Sequence, residues 1–532
     1  MDYSSVVLWK DYDESSEIAA NQQHEKSRMQ YKLIQSRVSD KNEIFRPLYH
    51  EVVEMSEAEY EQLKPFILEQ DIPTIQRHIK DGKFNYEKLV RFFLYRMYLF
   101  ELDSQSTLHT IIALNENVVD EARELDKLIS DDRHPIFGMP VLLKDNIGTE
   151  GMNTTAGAIA LRGNETNDAF IVEQLKKNKA LILGKVNLSE WAYYMCNGCP
   201  LGYSAIGGQT LNPYGRRVFE TGGSSAGSGT AVAANYAVAA VGTETSGSIL
   251  SPSSQNSVVG LKPTIGLLSR TGIVPISGTL DTPGPMTKNV VDNAILLSAM
   301  TGKDAADAKS VGTSEDFVGA IGVPGSLKGK RLGVFKDLLE TDSIYLKTAN
   351  KLRDLGAEII EFTAPEVSMD GFLTLLNIDM KNDLPEYLNA HVLNKEEIPM
   401  SSLEEIVEFN LADSLLRIPY GQSIFDGILK DSTSLDELQL IKNRLEENGR
   451  IFFNTPMDQH QLDAILSINN YHAGFAAVAK YPALTVPMGY KKTGEPVSLT
   501  FISKQFQEPG LLKLGHAFET ATKIRKTPEA YE

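Results

Sequence analysis

The sequence predicts an α/β fold built on a mostly parallel β-sheet. Between about residues 110 and 300, short apolar runs alternate with amphipathic segments, as strands alternate with helices around parallel sheets. Before that region the chain is polar and then strongly helical, which indicates a helical N-terminal arm. We therefore expect two parts, an N-terminal helical extension over residues 1–70 and one large domain over residues 71–532.

Local signals place the individual elements. Ser56 and Glu59 have capping-box spacing, so a helix is expected to begin there. The segment "NYEKLVRFFLYRMYLFELD" carries a broad apolar stripe and predicts a buried helix. "PVLLK" predicts a buried strand ending near Lys144, and "NDAFIVEQLKKN" a helix capped by Asn167.

Further elements follow in the same alternation. The patterns predict strands in "ALILGKVN" and "AVAAVGTE", a helix in "LSEWAYYM", two late strands in "LDAILSI" and "YPALTVPMGY", and a closing helix in "EPGLLKLGHAFETATK". The charged, helical region 365–450 carries no recognisable chemistry, and its position suits a roof over a cleft.

Composition and charge exclude several function classes. The chain has 532 residues and a net charge of -18, which disfavours nucleic-acid binding. It has no run of eighteen apolar residues and no basic n-region with an apolar h-region, so we expect no membrane association and a cytoplasmic location. Its two cysteines, in "CNGC", lack the further ligands that a zinc site needs. We expect no metal, and a monomer or homodimer.

Two serine-rich stretches suggest hydroxyl chemistry. "GGSSAG" holds Gly223, Ser225 and Gly227 in the spacing of a nucleophile elbow, which would need a downstream base such as His472 or His516. The glycines match neither the phosphate-loop nor the dinucleotide pattern, because Ser228 and Val232 stand at required positions. A serine–histidine hydrolase therefore stays open as one hypothesis.

Lys144 offers a different base. A lysine at the end of an apolar strand is unusual, because lysine is almost never fully buried unless it is paired or functional. Its ammonium could pair with the neighbouring Asp145, or it could act as a catalytic base.

Three motifs together resemble the amidase signature family. They are "GMPVLLKDNI", "TGGSSAGSG" and the long block from Gly242 to Met286, which looks most like the bacterial peptide amidases of that family. The resemblance implies a large mixed, mostly parallel sheet flanked by helices on both faces. It also implies a Ser-cisSer-Lys triad, with Ser248 as nucleophile, Ser224 after a cis peptide bond as the bridge and Lys144 as base.

The implied chemistry is cofactor-free hydrolysis of a linear amide to a carboxylate and ammonia or an amine. A lysine can take a proton only when neutral, so burial must lower its pKa. The backbone N–H groups of Thr245, Ser246 and Gly247, with that of the nucleophile, would form the oxyanion hole. The implied substrate is a C-terminal peptide amide or an amino-acid amide, and Tyr194 and Met195 are expected to line the cleft.

Three residues depart from the family pattern. Ser246 replaces a usual glycine, Glu244 a usual aspartate and Leu250 a usual arginine, so we expect the common Asp–Arg support of the loop to be absent. The same motifs occur in the amidase component of tRNA-dependent amidotransferases, which passes ammonia to a partner. That role is the second hypothesis, and the N-terminal extension of roughly 70 residues and the departures around Ser248 argue against it.

Overall fold

An 11-stranded mixed sheet runs through the described part of the chain. The computed structural model describes residue 3 and residues 5–128, 133–322 and 327–532. The strands in these ranges are β1 (Ile111–Leu114), β2 (Pro140–Lys144), β3 (Leu181–Val186), β4 (Tyr203–Ser204), β5 (Gly208–Gln209), β6 (Ala239–Glu244), β7 (Val259–Lys262), β8 (Thr282–Thr287), β9 (Arg331–Phe335), β10 (Glu358–Phe362), β11 (Ala464–Ile468), β12 (Ala483–Tyr490) and β13 (Pro496–Ile502). The large sheet has the strand order β1-β3-β2-β6-β8-β7-β12-β13-β11-β9-β10, and strands β4 and β5 form a separate pair.

Helices flank the sheet and account for much of the remaining chain. Within the described ranges they are α1 (Ser15–Asn21), α2 (Lys41–Phe45), α3 (Tyr49–Val52), α4 (Glu57–Ile67), α5 (Ile72–Lys80), α6 (Tyr86–Glu101), α7 (Val118–Asp126), α8 (Phe170–Lys177), α9 (Ala226–Ala233), α10 (Leu250–Gln255), α11 (Val290–Met300), α12 (Phe317–Ile321), α13 (Lys336–Thr341), α14 (Ser343–Asp354), α15 (Phe372–His391), α16 (Leu403–Ala412), α17 (Ser414–Arg417), α18 (Ser423–Lys430), α19 (Leu435–His460), α20 (Ala473–Ala479) and α21 (Glu508–Thr522). The predicted mixed sheet with flanking helices is confirmed.

Strand direction changes along the sheet. Pairing is parallel in β3-β2-β6 and in β11-β9-β10, and the neighbours between and beside these groups are antiparallel. Strand β2 is buried along its whole length, as expected for an apolar strand inside a parallel group. Its last residue, Lys144, therefore ends inside the protein.

The N-terminal arm packs on the sheet domain. The helix expected at Ser56 is α4, and the Ser56 hydroxyl accepts the N–H of Glu59 at 3.2 Å. The apolar stripe forms the buried helix α6. Buried residues of the arm, such as Phe45 and Tyr60, belong to the same apolar cluster as β2 and β6. The boundary at residue 70 stays a prediction.

Helices α15 to α19 form a second layer with an apolar cluster of its own, here called the helical layer. That cluster also contains Trp191, Tyr194, Met195 and Ile276. The region that showed no chemistry in the sequence thus packs against two loops of the sheet domain. None of the helices in the described ranges combines the length and apolarity needed to cross a bilayer.

Two local predictions are wrong for the same reason. Helix α8 begins at Phe170 after Ala169 and has no side-chain cap, so Asn167 does not cap it, and the Phe170 N–H donates to Thr271 O at 3.2 Å. The expected helix in "LSEWAYYM" is a short turn in which Trp191, Ala192 and Tyr193 all have left-handed φ angles. Contacts from distant chain segments override both local patterns.

Candidate active site

Lys144 has only neutral hydrogen-bond partners. Its Nζ atom lies 2.7 Å from Ser224 Oγ and 2.7 Å from Thr243 Oγ1, and it donates to Thr243 O at 3.2 Å. The side chain has no exposed surface. A buried lysine without a hydrogen-bonded carboxylate is unusual, and such groups cluster at functional sites.

Burial lowers the pKa of Lys144 to about 7, because an ammonium is poorly solvated inside the protein. The carboxylates of Asp281 and Glu244 act in the opposite direction and favour the charged form. A large fraction of Lys144 is therefore neutral at neutral pH. In that form the amine can accept a proton.

The neighbouring Asp145 does not pair with Lys144. Its carboxylate lies 3.4 Å from Lys185 Nζ, and it also accepts the backbone N–H of Thr155 at 3.2 Å. Because consecutive side chains of a strand point to opposite faces, Asp145 and Lys144 face different surroundings. The ion-pair hypothesis for Lys144 is therefore wrong.

Ser224 lies where the sequence placed it, beside Lys144 and after a cis Gly223–Ser224 peptide bond. Its carbonyl accepts the N–H groups of Ser189 at 3.0 Å and Ala226 at 2.8 Å, which holds the backbone on both sides. A Cβ at position 223 would lie 2.6 Å from Ser189 Oγ, so a larger residue there would have to displace the Ser189 side chain. The Ser224 side chain is fully buried.

Ser225 has a structural place. Its hydroxyl donates to Thr243 O at 3.0 Å and accepts the Thr243 N–H at 3.2 Å, which ties α9 to β6. His472 hydrogen-bonds Ser467 and stacks on Phe335, and His516 lies on α21. Neither histidine forms a hydrogen bond with Ser225, so the geometry of a serine–histidine pair is missing.

The loop from Thr245 to Ser248 follows β6 directly. Within the described ranges, its four backbone N–H groups donate to no acceptor, and the Ser248 hydroxyl makes no hydrogen bond. Gly247 has φ +92, and a Cβ there would lie 3.0 Å from Asn470 Nδ2. The Ser225 N–H donates to Ser248 O at 3.2 Å, which brings the two serine stretches together. A partly exposed hydroxyl therefore stands beside a row of free donors.

Glu244 supports this loop without the arginine common in the family. One carboxylate oxygen accepts the N–H groups of Ile249 at 2.7 Å and Leu250 at 2.9 Å. The Glu244 carboxylate is also close enough to the fully buried Lys262 to favour the charged form of that lysine. The Asp–Arg support is absent as expected, and a glutamate that caps the following turn takes its place.

Tyr194 and Met195 are joined to the helical layer by hydrogen bonds. The Tyr194 hydroxyl lies 2.7 Å from Asn377 Oδ1 on α15, and Met195 O accepts the N–H of Ile424 at 3.0 Å on α18. Both side chains are buried in the cluster of that layer. The Cα atoms of the next two cysteines, Cys196 and Cys199, lie 5.8 Å apart.

Sequence reasoning missed three polar residues. Thr243 holds Lys144, and Asn146 Nδ2 donates to Thr243 Oγ1 at 3.0 Å. Asp281 Oδ1 accepts the hydroxyl of Thr245 at 2.5 Å. Thr243 and Asp281 both lie inside the long block that carried the resemblance, but nothing local in the sequence distinguishes them from neighbouring polar residues.

Comparison with known proteins decides the family. The model described as "Amidase" matches residues 89–418, more than half of the chain. The chain belongs to the amidase signature family. It is 36% identical to a probable amidase of Arabidopsis thaliana, At4g34880, over 84% of this chain and 90% of that protein. The structure of a native peptide amidase from Stenotrophomonas maltophilia matches with a TM-score of 0.82 and 36% identity, covering 87% of this chain and 99% of that one.

Another relative belongs to a different branch. A glutamyl-tRNA(Gln) amidotransferase subunit of Caldanaerobacter subterraneus subsp. tengcongensis is 32% identical over 78% of this chain and 89% of that protein. The likenesses to a probable amidase and to a peptide amidase establish a hydrolase acting on amide C–N bonds.

Proposed function

We propose that this amidase hydrolyses C-terminal carboxamides of peptides or amino-acid amides through Ser248, Ser224 and Lys144. The observation that carries the proposal is the 2.7 Å approach of a buried lysine, bonded only to uncharged partners, to Ser224 Oγ. A serine hydroxyl is a weak nucleophile until a base removes its proton, and Lys144 has a pKa of about 7.

In the acylation step, Ser248 Oγ attacks the amide carbonyl carbon. The Ser248 proton passes to Ser224 Oγ while the Ser224 proton passes to Lys144 Nζ. The carbonyl oxygen becomes an oxyanion that accepts hydrogen bonds from the N–H groups of Thr245, Ser246, Gly247 and Ser248. Each donor of this kind contributes about 10²–10³ in rate.

Collapse of the intermediate breaks the C–N bond. The departing nitrogen takes a proton from Ser224, which regains one from Lys144, and the acyl group stays on Ser248. Water then attacks the ester carbon, and its proton passes through Ser224 to Lys144. When the C–O bond to Ser248 breaks, that proton returns through Ser224 to Ser248 Oγ, and the carboxylic acid leaves and ionises to the carboxylate. The cycle needs no cofactor.

The likeness to a peptide amidase supports peptide amides as the substrate class. Tyr194 and Met195 are proposed as lining residues of the cleft, because hydrogen bonds join their segment to the helical layer. The cytoplasmic location and the monomeric or homodimeric state stay predictions.

A second candidate is the ammonia-delivering component of an amidotransferase, favoured by the likeness to the glutamyl-tRNA(Gln) amidotransferase protein. In that role glutamine is the amide donor, and a partner protein consumes the ammonia.

The experiment measures ammonia release by the purified chain from an N-acetylated dipeptide amide and from glutamine. Lys144→Ala serves as the blank, and Ser225→Ala as a matched serine control outside the proton path. Release from the dipeptide amide that is lost in Lys144→Ala and kept in Ser225→Ala supports the proposal.

Two other results would contradict it. Release from glutamine alone would favour the amidotransferase role. Release that survives in Lys144→Ala and disappears in Ser225→Ala would move the nucleophile to Ser225.

A further inference from the structure

Asp281 and Thr245 stand at matching ends of two paired strands. In the antiparallel pairing of β6 with β8, Glu244 is opposite Thr282. The residue after β6, Thr245, and the residue before β8, Asp281, therefore meet across the end of the ladder. Their side chains form the 2.5 Å hydrogen bond already described.

The same carboxylate organises its own loop. Asp281 Oδ2 accepts the N–H groups of Ile276 at 2.8 Å and Ser277 at 2.9 Å. Burial raises the pKa of Asp281, and the three hydrogen bonds that it accepts act against that rise by favouring the carboxylate form. Asp281 thus connects loop 276–281 with Thr245, the first residue of the loop 245–248, here called the oxyanion loop.

Loop 276–281 is anchored from the other side by the helical layer. Ser277 Oγ donates to Asp379 Oδ2 at 2.6 Å, and the Gly278 N–H donates to Asp383 Oδ2 at 2.5 Å, both on α15. Lys442 on α19 pairs with Asp379 at 2.6 Å. A continuous set of hydrogen bonds therefore runs from the helical layer through Asp281 to Thr245.

Among the described residues, few charged groups act on Asp281 and Lys144. Asp281 and Glu244 are the carboxylates whose charges reach Lys144, and Glu244 is engaged by the N–H groups of Ile249 and Leu250. Asp281 is also acted on by the Arg270 guanidinium, and its charge reaches Asp383 on α15.

We propose that Asp281 is a positioning residue that holds the Thr245 end of the oxyanion loop and presents a fixed negative charge to Lys144. The inference rests on the proposed function for its kinetic consequences. Holding the loop requires the Thr245 hydroxyl, whereas presenting a charge to Lys144 does not. Substitutions at Thr245 and at Asp281 therefore separate the two actions.

Thr245→Val removes the hydroxyl but keeps the backbone N–H and the charge of Asp281. It should lower kcat about tenfold, because a displaced donor stabilises the oxyanion less well, with little change in KM. The pH at which activity falls on the acid side should stay where it is in the wild type.

Asp281→Asn should also lower kcat about tenfold. In addition, it should move the acid limb of the pH profile, where activity falls on the acid side, to lower pH. The sign follows from the chemistry: activity needs neutral Lys144, and a nearby carboxylate raises the Lys144 pKa. Without the carboxylate the pKa falls, and the limb moves by about one pH unit.

Asp292→Asn is the control for neutralising a buried aspartate. Asp292 accepts the Ile72 N–H at 2.7 Å, outside the proposed site, and its substitution should leave kcat and the acid limb unchanged.

Hydrogen exchange of residues 243–250 gives a readout that needs no turnover. Both site variants should exchange this segment several-fold faster than the wild type and the Asp292→Asn variant. If the wild type releases no ammonia, the proposed function fails while this measurement still tests the link.

The inference is overturned if Asp281→Asn keeps the wild-type kcat, acid limb and exchange. It is also overturned if only KM rises, because Asp281 would then bind substrate and position nothing.

Discussion

Lys144 and Lys185 are two fully buried lysines on neighbouring parallel strands, and they have opposite electrostatic surroundings. The register pairs Leu143 with Lys185 and Lys144 with Val186, so the two differ by one position across β2 and β3. Lys185 lies 3.4 Å from Asp145 Oδ1 and donates to Ile147 O at 2.6 Å and Thr154 Oγ1 at 3.0 Å. Lys144 contacts two hydroxyls and a carbonyl.

The comparison distinguishes a lysine that stabilises the fold from a lysine that can act as a base. Burial disfavours both ammonium groups, but Lys185 has an adjacent carboxylate that compensates its charge. Lys144 has no hydrogen-bonded carboxylate, and its nearest acceptors can exchange protons with it. One position of register therefore decides which lysine becomes a base.

The largest expected effect is on activity. Lys144→Met should lower kcat at least about 10³-fold, because no other group can take the proton from Ser224. Folding should persist, since a buried amine with neutral partners is replaced by an apolar chain of similar length. Steady-state kinetics and a thermal melt check both parts, and a large fall in Tm would contradict the comparison.

Lys185→Met should instead lower the stability of the fold. It leaves Asp145 buried without its cation, so the free energy of unfolding should fall by about 3–5 kcal/mol. Denaturant unfolding measures this loss. The double variant with Asp145→Asn should recover part of it, because no charge is then left unpaired. An unchanged unfolding midpoint in Lys185→Met would show that the ion pair does not stabilise the fold.

The pH dependence sharpens the comparison. With a Lys144 pKa of about 7, kcat/KM should fall about tenfold per pH unit below pH 7, as the neutral base becomes scarce. In the unfolded chain Lys144 keeps its proton up to about pH 10.4, whereas in the folded protein it loses the proton near pH 7. Between about pH 7 and pH 10 the unfolded state therefore binds one proton more than the folded state. Because rising pH disfavours the state that binds more protons, the free energy of unfolding should rise over this range. Lys144→Met should show a smaller rise, because Lys262 and Lys288, whose pKa burial lowers to about 8, still contribute theirs, and pH-dependent denaturation measures the difference.

The smallest effect is expected at Ser225. Ser225→Ala removes the hydroxyl that bonds the Thr243 backbone, and should cost about 1 kcal/mol of stability. Its kcat should stay within a few-fold of the wild type. A loss as large as that of Lys144→Met would return Ser225 to the role of nucleophile.

Much of the architecture follows from local sequence. The apolar runs that form β2, β3 and β6, the Ser56 cap of α4 and the stripe of α6 are determined within a few residues, where burial and hydrogen bonding are local. The resemblance pointed to Lys144, Ser224 and Ser248; the structure joins Lys144 to Ser224 by a hydrogen bond and joins Ser248 O to the N–H of Ser225, and the role of the three stays a prediction.

Tertiary structure decided what depends on distant partners. Thr271 and not Asn167 satisfies the start of α8, left-handed turns occupy Trp191–Tyr193, and antiparallel strands separate the two parallel groups. Asp145 is one residue from Lys144 in sequence, yet it pairs with Lys185 on the next strand. The sequence by itself determined which groups are apolar, which titrate and where strands begin. Only the packed sheet decided which charged groups pair with each other. Hydrogen bonds and Coulomb energies depend on the distances between groups, and strand register sets those distances.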